Sequence, residues 1–193
     1  MRIFGIDPGS VRTGYGCVET DGSRARLVIC GAIAAPAGES FAQRLALIHR
    51  EVTALLRTCQ PDCVAVENLF HANNVRSALK LGHARGVAML AAIQAGCELA
   101  EYTPAEVKRA VVGYGRAEKP QVGQMVKLLL GMAQVPSPHD AADALAVALC
   151  HLHTVPHARA AAAAMVKDSR TAGPRSSART PRSWRDYRPP AAG

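Results

Sequence analysis

Four acidic residues have the types and spacing expected of a divalent-metal site. Clustered carboxylates repel one another unless cations neutralise them, and their hard oxygen atoms suit Mg²⁺ or Mn²⁺. Two such ions about 4 Å apart can stabilise both the attacking and the leaving oxygen of a phosphodiester cleavage. The pattern therefore favours phosphoryl-transfer chemistry. The four residues are Asp7, Glu67, Asp140 and Asp143.

Each of these acids also has an ordinary structural interpretation. Asp7 precedes Pro8-Gly9 and could cap a turn, and Asp140 could compensate a helix dipole. Asp143 is harder to explain, because a carboxylate within the Ala- and Leu-rich run after Asp140 needs a partner. The three-residue spacing of Asp140 and Asp143 puts them on one face of a helix. Only the combination of all four is specific.

The elements predicted around these acids form a mixed α/β sheet. Residues 2–6, 13–20 and 25–34 have the pattern of three antiparallel strands, with Asp21-Gly22-Ser23 as a turn. A helix capped by Ser40 follows, then a buried strand over residues 63–66 that should run parallel to a neighbour because a helix intervenes. Ligands of such sheets gather beyond the carboxyl ends of the strands. Asp7 and Glu67 would meet there.

The second half of the chain alternates helices with a fifth strand. A long helix is predicted over residues 74–95, a strand over 97–102, and a helix beginning at Thr103-Pro104. Further helices are predicted over about 119–131 and from Ser137-Pro138 to about residue 153. The predicted apolar side of the long helix comprises Val75, Leu79, Val87, Leu90 and Ile93. The fold class is therefore a five-stranded sheet, three strands antiparallel and two parallel, flanked by helices.

The positive charge is concentrated at the C-terminal end. Residues 156–193 hold eight of the basic residues and two acids, so they contribute +6 of the net +8. Their Ala, Ser, Arg, Pro and Gly composition lacks periodicity, which predicts a disordered basic tail after a domain of residues 1–155. A basic tail favours a polyanionic partner, nucleic acid or an acidic membrane surface, although it can also serve only to keep the chain in solution.

The cysteines and the apolar runs indicate a cytoplasmic protein. None of the six cysteines forms a CxxC pair, so neither a zinc site nor a disulfide framework is expected. We expect no signal peptide and no membrane span, because no uninterrupted apolar run reaches about 18 residues.

Four separated motifs resemble the RuvC family of bacterial Holliday junction resolvases. They are FGIDPGSVRTGYG at 4–16, VAVENLF at 64–70, YTPAEVKRAVVGYGRAEKPQV at 102–122 and HDAADALAVALCH at 139–151. The resemblance covers about residues 1–153 in order and leaves the tail outside. It implies an RNase H-like fold, a homodimer whose long helix contributes to the interface, and paired symmetric nicks in four-way junction DNA. It also implies a role in homologous recombination and DNA repair.

The same resemblance assigns roles to the acids. Asp7, Glu67, Asp140 and Asp143 would hold two Mg²⁺ ions per subunit, with Mn²⁺ as a substitute, and hydrolysis would leave 5′-phosphate ends. Some relatives carry a histidine at the first helix position, so His139 is a minor rival to Asp140. A RuvA/RuvB-type branch-migration complex is the implied protein partner.

Six further residues are candidates for DNA contacts. The family stacks an aromatic residue on unpaired bases, which here is Phe70, and such stacking is worth roughly 1–3 kcal/mol. Lys108 would meet phosphate, and Lys119 could offset charge that builds up at the scissile phosphate. Arg76 and Lys80, with Arg85 further along the long helix, could follow the DNA backbone or be ordinary surface residues.

Three other functions remain open at this stage. An actin- or hexokinase-type ATPase also places an acid and glycines after its first strand, but it needs a second comparable half. A non-catalytic nucleic-acid-binding module would use the basic tail, but four acids at one edge would repel phosphate. An RNase H-type nuclease acting on RNA–DNA hybrids would share the metal site.

Overall fold

The structure of the chain is a computed structural model that describes residues 1–22, 24–68 and 74–171, with side chains as far as residue 155. Met1–His157 form one compact unit, which contains the whole sheet, and Ala158–Gly193 form a second. The predicted stacking residue Phe70 lies outside the described residues.

Five strands form one mixed sheet, as the sequence predicted. Their order across the sheet is β3-β2-β1-β4-β5. The first three strands pair antiparallel, whereas β4 runs parallel to both β1 and β5. The central position of β1 thus brings the end of the opening strand beside the end of β4. The strands are β1 (Arg2–Asp7), β2 (Arg12–Thr20), β3 (Ala25–Ala34), β4 (Cys63–Glu67) and β5 (Glu98–Tyr102).

Helices begin where capping residues stand in the sequence. Ser40 and Thr103 each accept a hydrogen bond from the backbone N–H three residues on, and the side chain at that position accepts from the cap N–H in return. The last helix differs from the expectation of an end near residue 153, because it continues through the alanines at 160–164, which are strong helix formers. The helices are α1 (Phe41–Cys59), α2 (Val75–Gln94), α3 (Pro104–Val112), α4 (Lys119–Leu129) and α5 (His139–Thr171).

The alternation of side chains along β1 creates a core on each face of the sheet. Ile3 packs with residues of α3, α4 and α5, whereas Phe4 and Ile6 pack with residues of α1 and α2. All three side chains are fully buried. The helices therefore form two layers around the sheet, and α5 lies on the face opposite α1 and α2.

The long helix α2 packs through small residues and turns its large ones outward. Its buried residues are all alanines, such as Ala84 and Ala88, which allow the helix to lie close to its neighbours. By contrast, most of the apolar side predicted from the sequence faces away from this core: Val75 is 77% exposed, Leu79 60% and Ile93 58%, whereas Val87 is partly buried against the core. Exposed apolar residues in a contiguous row are characteristic of an interaction surface. In the part of the chain that the structure describes, no helix has both the length and the apolar character needed to cross a membrane.

Candidate active site

Two acids meet where neighbouring parallel strands end. Asp7 is the last residue of β1 and Glu67 the last of β4. The register pairs Ile6 with Val66, so the next residue of each strand lies at the same edge of the sheet. The two side chains are close enough for each to affect the pKa of the other. The predicted meeting of Asp7 and Glu67 is thus a direct result of the parallel pairing.

Glycines in the first two strands seat α5 directly on the sheet. A Cβ placed on Gly14 would overlap the backbone carbonyl of Asp140, and one on Gly5 would overlap that of Ala144. Gly14 in turn pairs with Asp7 across β1 and β2. Gly5 and Gly14 therefore allow α5 to lie directly against the first two strands.

The third acid and two lysines complete a cleft around this edge. Asp143 lies on α5, Lys119 is the first residue of α4, and Lys108 lies on α3. Lys119 Nζ donates a hydrogen bond to Asp143 Oδ2 at 2.8 Å. The cavity has a volume of about 260 Å³ and is lined by Asp7, Glu67, Pro104, Val107, Lys108, Lys119, Val122, Asp143 and Ala146.

The acidic surroundings change the proton affinity of the two strand-end carboxyls. Burial, reinforced by the negative charges of Glu67 and Asp143, raises the pKa of Asp7 to about 8. Burial and the charge of Asp143 also raise the pKa of Glu67. Asp7, through hydrogen bonding, and the charges of Lys119 and Lys108 act in the opposite direction and lower this pKa. Burial and the neighbouring acids therefore favour the protonated form of Asp7 more than in an exposed aspartate.

The positions of the two lysines are fixed by helix N-termini. Gln121 Oε1 accepts hydrogen bonds from the Glu118 backbone N–H at 2.8 Å and from the Tyr114 hydroxyl at 3.0 Å, which ties down the start of α4 beside Lys119. Lys108 follows the Thr103–Glu106 capping pair by two residues on α3. The hydrogen bond from Lys119 to Asp143 raises the pKa of the lysine, so its ammonium is charged.

A basic residue that the sequence analysis did not single out contacts the fourth acid. Arg12 Nη1 lies 3.6 Å from Asp140 Oδ2. The loop before Arg12 is closed by the buried Thr13, whose hydroxyl donates to the Gly9 carbonyl at 3.0 Å. Nothing in the spacing of the motif distinguishes Arg12 from a surface residue, since the contact depends on the seating of α5.

The carboxylates suit a divalent cation by their chemistry, but they do not yet converge on one. Asp7, Glu67 and Asp143 are oxygen donors on one cleft, where burial and the neighbouring carboxylates raise the pKa of Asp7. Among the described residues, however, no three His, Cys, Asp or Glu side chains are close enough together to form a ready metal site. Two of the acids instead contact the cations of Lys119 and Arg12.

The remaining predicted residues lie outside the cleft. Arg76 and Lys80 are exposed on α2, and Lys80 lines a small cavity with Ser10 and Val11 of the loop after Asp7. The ammonium of Lys80 also lies 5.8 Å from the ring centroid of Phe41. Arg85 forms an ion pair with Glu101, which favours a structural role. His139 is the exposed first residue of α5, directly before Asp140.

A second feature missed at the sequence level connects β5 to α5. The Tyr102 hydroxyl and His151 Nδ1 are 2.9 Å apart, and His151 is only 8% exposed. The Tyr102 carbonyl accepts a hydrogen bond from the Asn68 N–H, directly after Glu67. This connection links the strand edge that carries Glu67 to the helix that carries Asp140 and Asp143.

Comparisons with known proteins agree with this arrangement. The family model described as "Crossover junction endodeoxyribonuclease RuvC" matches residues 3–151. A protein of that name from Koribacter versatilis is 54% identical over 156 residues, covering 80% of this chain and 93% of the relative. One from Chloroflexus aggregans is 52% identical over 156 residues, covering 81% and 95%.

A solved structure shares the fold over the same region. Thermus thermophilus RuvC in complex with a Holliday junction substrate is 37% identical, with a TM-score of 0.77. The match covers 80% of this chain and 94% of that chain. The RNase H-like fold class predicted from the sequence is therefore confirmed.

Proposed function

Because the chain belongs to the RuvC family of crossover junction endodeoxyribonucleases, we propose that it resolves four-way DNA junctions by paired symmetric nicks, in recombination and repair. The observation that carries this proposal is the cleft in which Asp7, Glu67 and Asp143 lie with Lys108 and Lys119. Acids for metal ions and lysines for phosphate, side by side at a strand edge, are what metal-dependent phosphodiester hydrolysis requires.

The residues that would hold the metal are the four acids. We propose two Mg²⁺ ions per subunit, replaceable by Mn²⁺, held by Asp7 and Glu67 from the sheet and by Asp140 and Asp143 from α5. When bound, the ions supply the positive charge that activates water and stabilises the leaving oxygen. Burial and the nearby charges of Glu67 and Asp143 raise the pKa of Asp7, and this supports the assignment because a bound cation would stabilise the charged carboxylate. Cleavage is expected to leave 5′-phosphate and 3′-hydroxyl ends.

The lysines of the cleft and the basic residues of α2 are proposed to contact the DNA and hold it in position. Lys119, whose side chain is 75% exposed, can reach a phosphate at the cleft and offset charge in the transition state. Lys108 lines the same cleft and is proposed as a second phosphate contact. Lys80 lies by the loop after Asp7, and we propose that its charge and that of Arg76 on the same helix contact the DNA backbone. Phe70, three residues after Glu67, is proposed to stack on unpaired bases.

A homodimer is proposed through the outward apolar side of α2. A shallow cavity along this helix is lined by Val75, Leu79, Val87 and Leu90 together with small residues such as Gly82. Close approach of two such helices would bury Leu79 and Leu90, which are 60% and 50% exposed. A two-fold enzyme matches a two-fold junction, so both nicks become equivalent. A RuvA/RuvB-type motor and a cytoplasmic location follow from the family, as proposals.

The test compares substrates and a matched variant. Purified protein in Mg²⁺ is given a four-way junction, a linear duplex of the same sequence and an RNA–DNA hybrid. We expect symmetric cuts in the junction alone. In chelator, Asp7→Asn should bind the junction with the parental affinity, whereas in Mg²⁺ it should cut the junction at least about a hundred-fold more slowly, because it removes a metal ligand and leaves the basic surface intact. Preference for the hybrid, or parental cutting by Asp7→Asn, would contradict the proposal.

A further inference from the structure

Asp140 and Asp143, the two acids near the start of α5, each contact a cation of the protein itself. Asp143 Oδ2 accepts a hydrogen bond from Lys119 Nζ at 2.8 Å, and Asp140 Oδ2 lies 3.6 Å from Arg12 Nη1. The two cations reach α5 from different elements, Lys119 from the start of α4 and Arg12 from the start of β2. Each of the two acids thus forms an ion pair with a cation from a different part of the chain.

The backbones of these cations are fixed, whereas their side chains are free to move. Thr13 and Gly9 close the loop before Arg12, and Gln121 closes the turn before Lys119. The side chains themselves are 50% exposed at Arg12 and 75% exposed at Lys119. Ion pairs this exposed are weak, so each cation can leave its carboxylate at small cost and remain within a side-chain length of the cleft.

A divalent ion needs the same carboxylate oxygens. We propose that Arg12 and Lys119 occupy Asp140 and Asp143 in the metal-free protein, compete with the metal for these oxygens, and are released to DNA phosphates when the metal binds. Arg12 is thereby assigned as a positioning residue of the metal site. This inference rests on the proposed metal site at the four acids. It accounts for the absence, in the described residues, of three acids poised around one point.

The release links two binding events. A cation that leaves Asp140 or Asp143 is free to pair with a phosphate, and a phosphate that holds the cation leaves the carboxylate open for the metal. By thermodynamic reciprocity, each ligand then raises the affinity of the other by the same factor. The protein would therefore assemble its complete metal site chiefly on DNA, which limits metal-dependent cutting away from a substrate.

The test measures metal binding without DNA or turnover. Full-length protein is titrated with Mn²⁺ at constant ionic strength, free Mn²⁺ is counted by electron paramagnetic resonance, and binding that survives in Glu67→Gln is subtracted as background. Arg12→Gln and Lys119→Met should each bind Mn²⁺ about two- to five-fold more tightly than the parent, which is the range expected for loss of an exposed ion pair. Thermal unfolding of each metal-free variant checks that the fold is intact.

Two controls separate competition from a general loss of positive charge. Lys108→Met removes a charge from the same cleft, and Lys127→Met removes one from the same helix as Lys119. Both should change Mn²⁺ affinity by less than either test variant. An equal gain in the controls, or no gain in Arg12→Gln and Lys119→Met, would overturn the proposal, and a gain in only one would overturn the role of the other.

The DNA side of the linkage is measured with Ca²⁺, whose larger and looser coordination sphere is used to favour binding over hydrolysis. Fluorescence anisotropy gives the affinity for a labelled junction with Ca²⁺ and with chelator. The gain on adding Ca²⁺ should be smaller in Arg12→Gln and Lys119→Met than in the parent, and an unchanged gain contradicts the linkage. If the parent cuts junctions in Mg²⁺, but Arg12→Gln and Lys119→Met match the parent in Mn²⁺ affinity and in the gain of junction affinity with Ca²⁺, only this inference fails. If the parent neither binds Mn²⁺ nor cuts junctions, the proposed function fails as well.

Discussion

Gly14 lies directly against the backbone of Asp140, and the geometry of the candidate active site requires that this position carry no side chain. A Cβ at this position would overlap the Asp140 carbonyl, and the strand partner of Gly14 is Asp7. One glycine thus sets the distance between the acid at the end of β1 and the first acid of α5. The glycines of the second strand serve helix packing, and through it the geometry of the carboxylates.

Gly14→Ala should therefore damage stability and cleavage together. The added methyl group must push α5 away from the sheet, and overpacking of this kind costs about 1–3 kcal/mol. We expect a lower midpoint in chemical denaturation and a cleavage rate reduced at least ten-fold. Gly115→Ala, where a Cβ would meet only ordinary contacts of 3.5 Å or more, is the control and should unfold close to the parent. Parental cleavage by Gly14→Ala would contradict this account of the site.

The protonation of Asp7 predicts how pH affects the metal-free protein. Its folded pKa of about 8 exceeds the ordinary value of 3.8, so the folded state binds the proton more tightly than the unfolded state does. The stability contributed by this group is complete below about pH 4 and is lost as the pH rises towards 8. Asp7→Asn removes the titration, so in chelator it should be more stable than the parent by roughly 1–3 kcal/mol at pH 8. Equal denaturation midpoints for the two proteins across pH 5–8 would show that Asp7 is not buried among other acids.

The hydrogen bond between Tyr102 and His151 should contribute to the stability of the α5 side of the sheet. Tyr102→Phe removes a hydroxyl that lies 2.9 Å from Nδ1 of a buried histidine, and we expect a loss of about 1 kcal/mol in the free energy of unfolding. Tyr114→Phe deletes a comparable hydroxyl from a side chain that is 47% exposed, and it should have a smaller effect on unfolding. The opposite ranking in urea denaturation would refute the importance of this link.

The dimer proposal predicts that a charge on the outer side of α2 separates the subunits. Leu79 is 60% exposed, and in a dimer Leu79→Glu would bury an unpaired carboxylate. Sedimentation velocity should show a monomer. This monomer should still bind Mn²⁺ in the titration, and in the cleavage assay it should make single, uncoupled nicks in the junction. Leu128→Glu is a matched control on α4, where the native leucine is 69% exposed, and it should remain a dimer. A dimeric Leu79→Glu protein would exclude α2 as the interface.

Local signals were sufficient for most of the elements. Caps at Ser40 and Thr103 and alternation in the strands gave the correct order of helices and strands, because these signals act over a few residues. The last helix was expected to end near residue 153, with a helical extension over residues 160–166 as the alternative, and the structure continues α5 to Thr171 because the alanines favour a helix. For α2, the large apolar residues were grouped correctly on one side, but periodicity alone cannot say which side of a helix packs on the sheet.

The sequence by itself determined which residues carry the proposed chemistry: four acids at strand ends and on one helix face, with lysines in the motifs that accompany them. The parallel order of β1 and β4, which brings Asp7 beside Glu67, also followed from the intervening helix. Only the tertiary structure decided which cation each acid contacts: Asp143 forms an ion pair with Lys119, and Asp140 forms one with Arg12. Such contacts join residues far apart in the chain, and they depend on how closely α5 packs on Gly14, which no local pattern encodes.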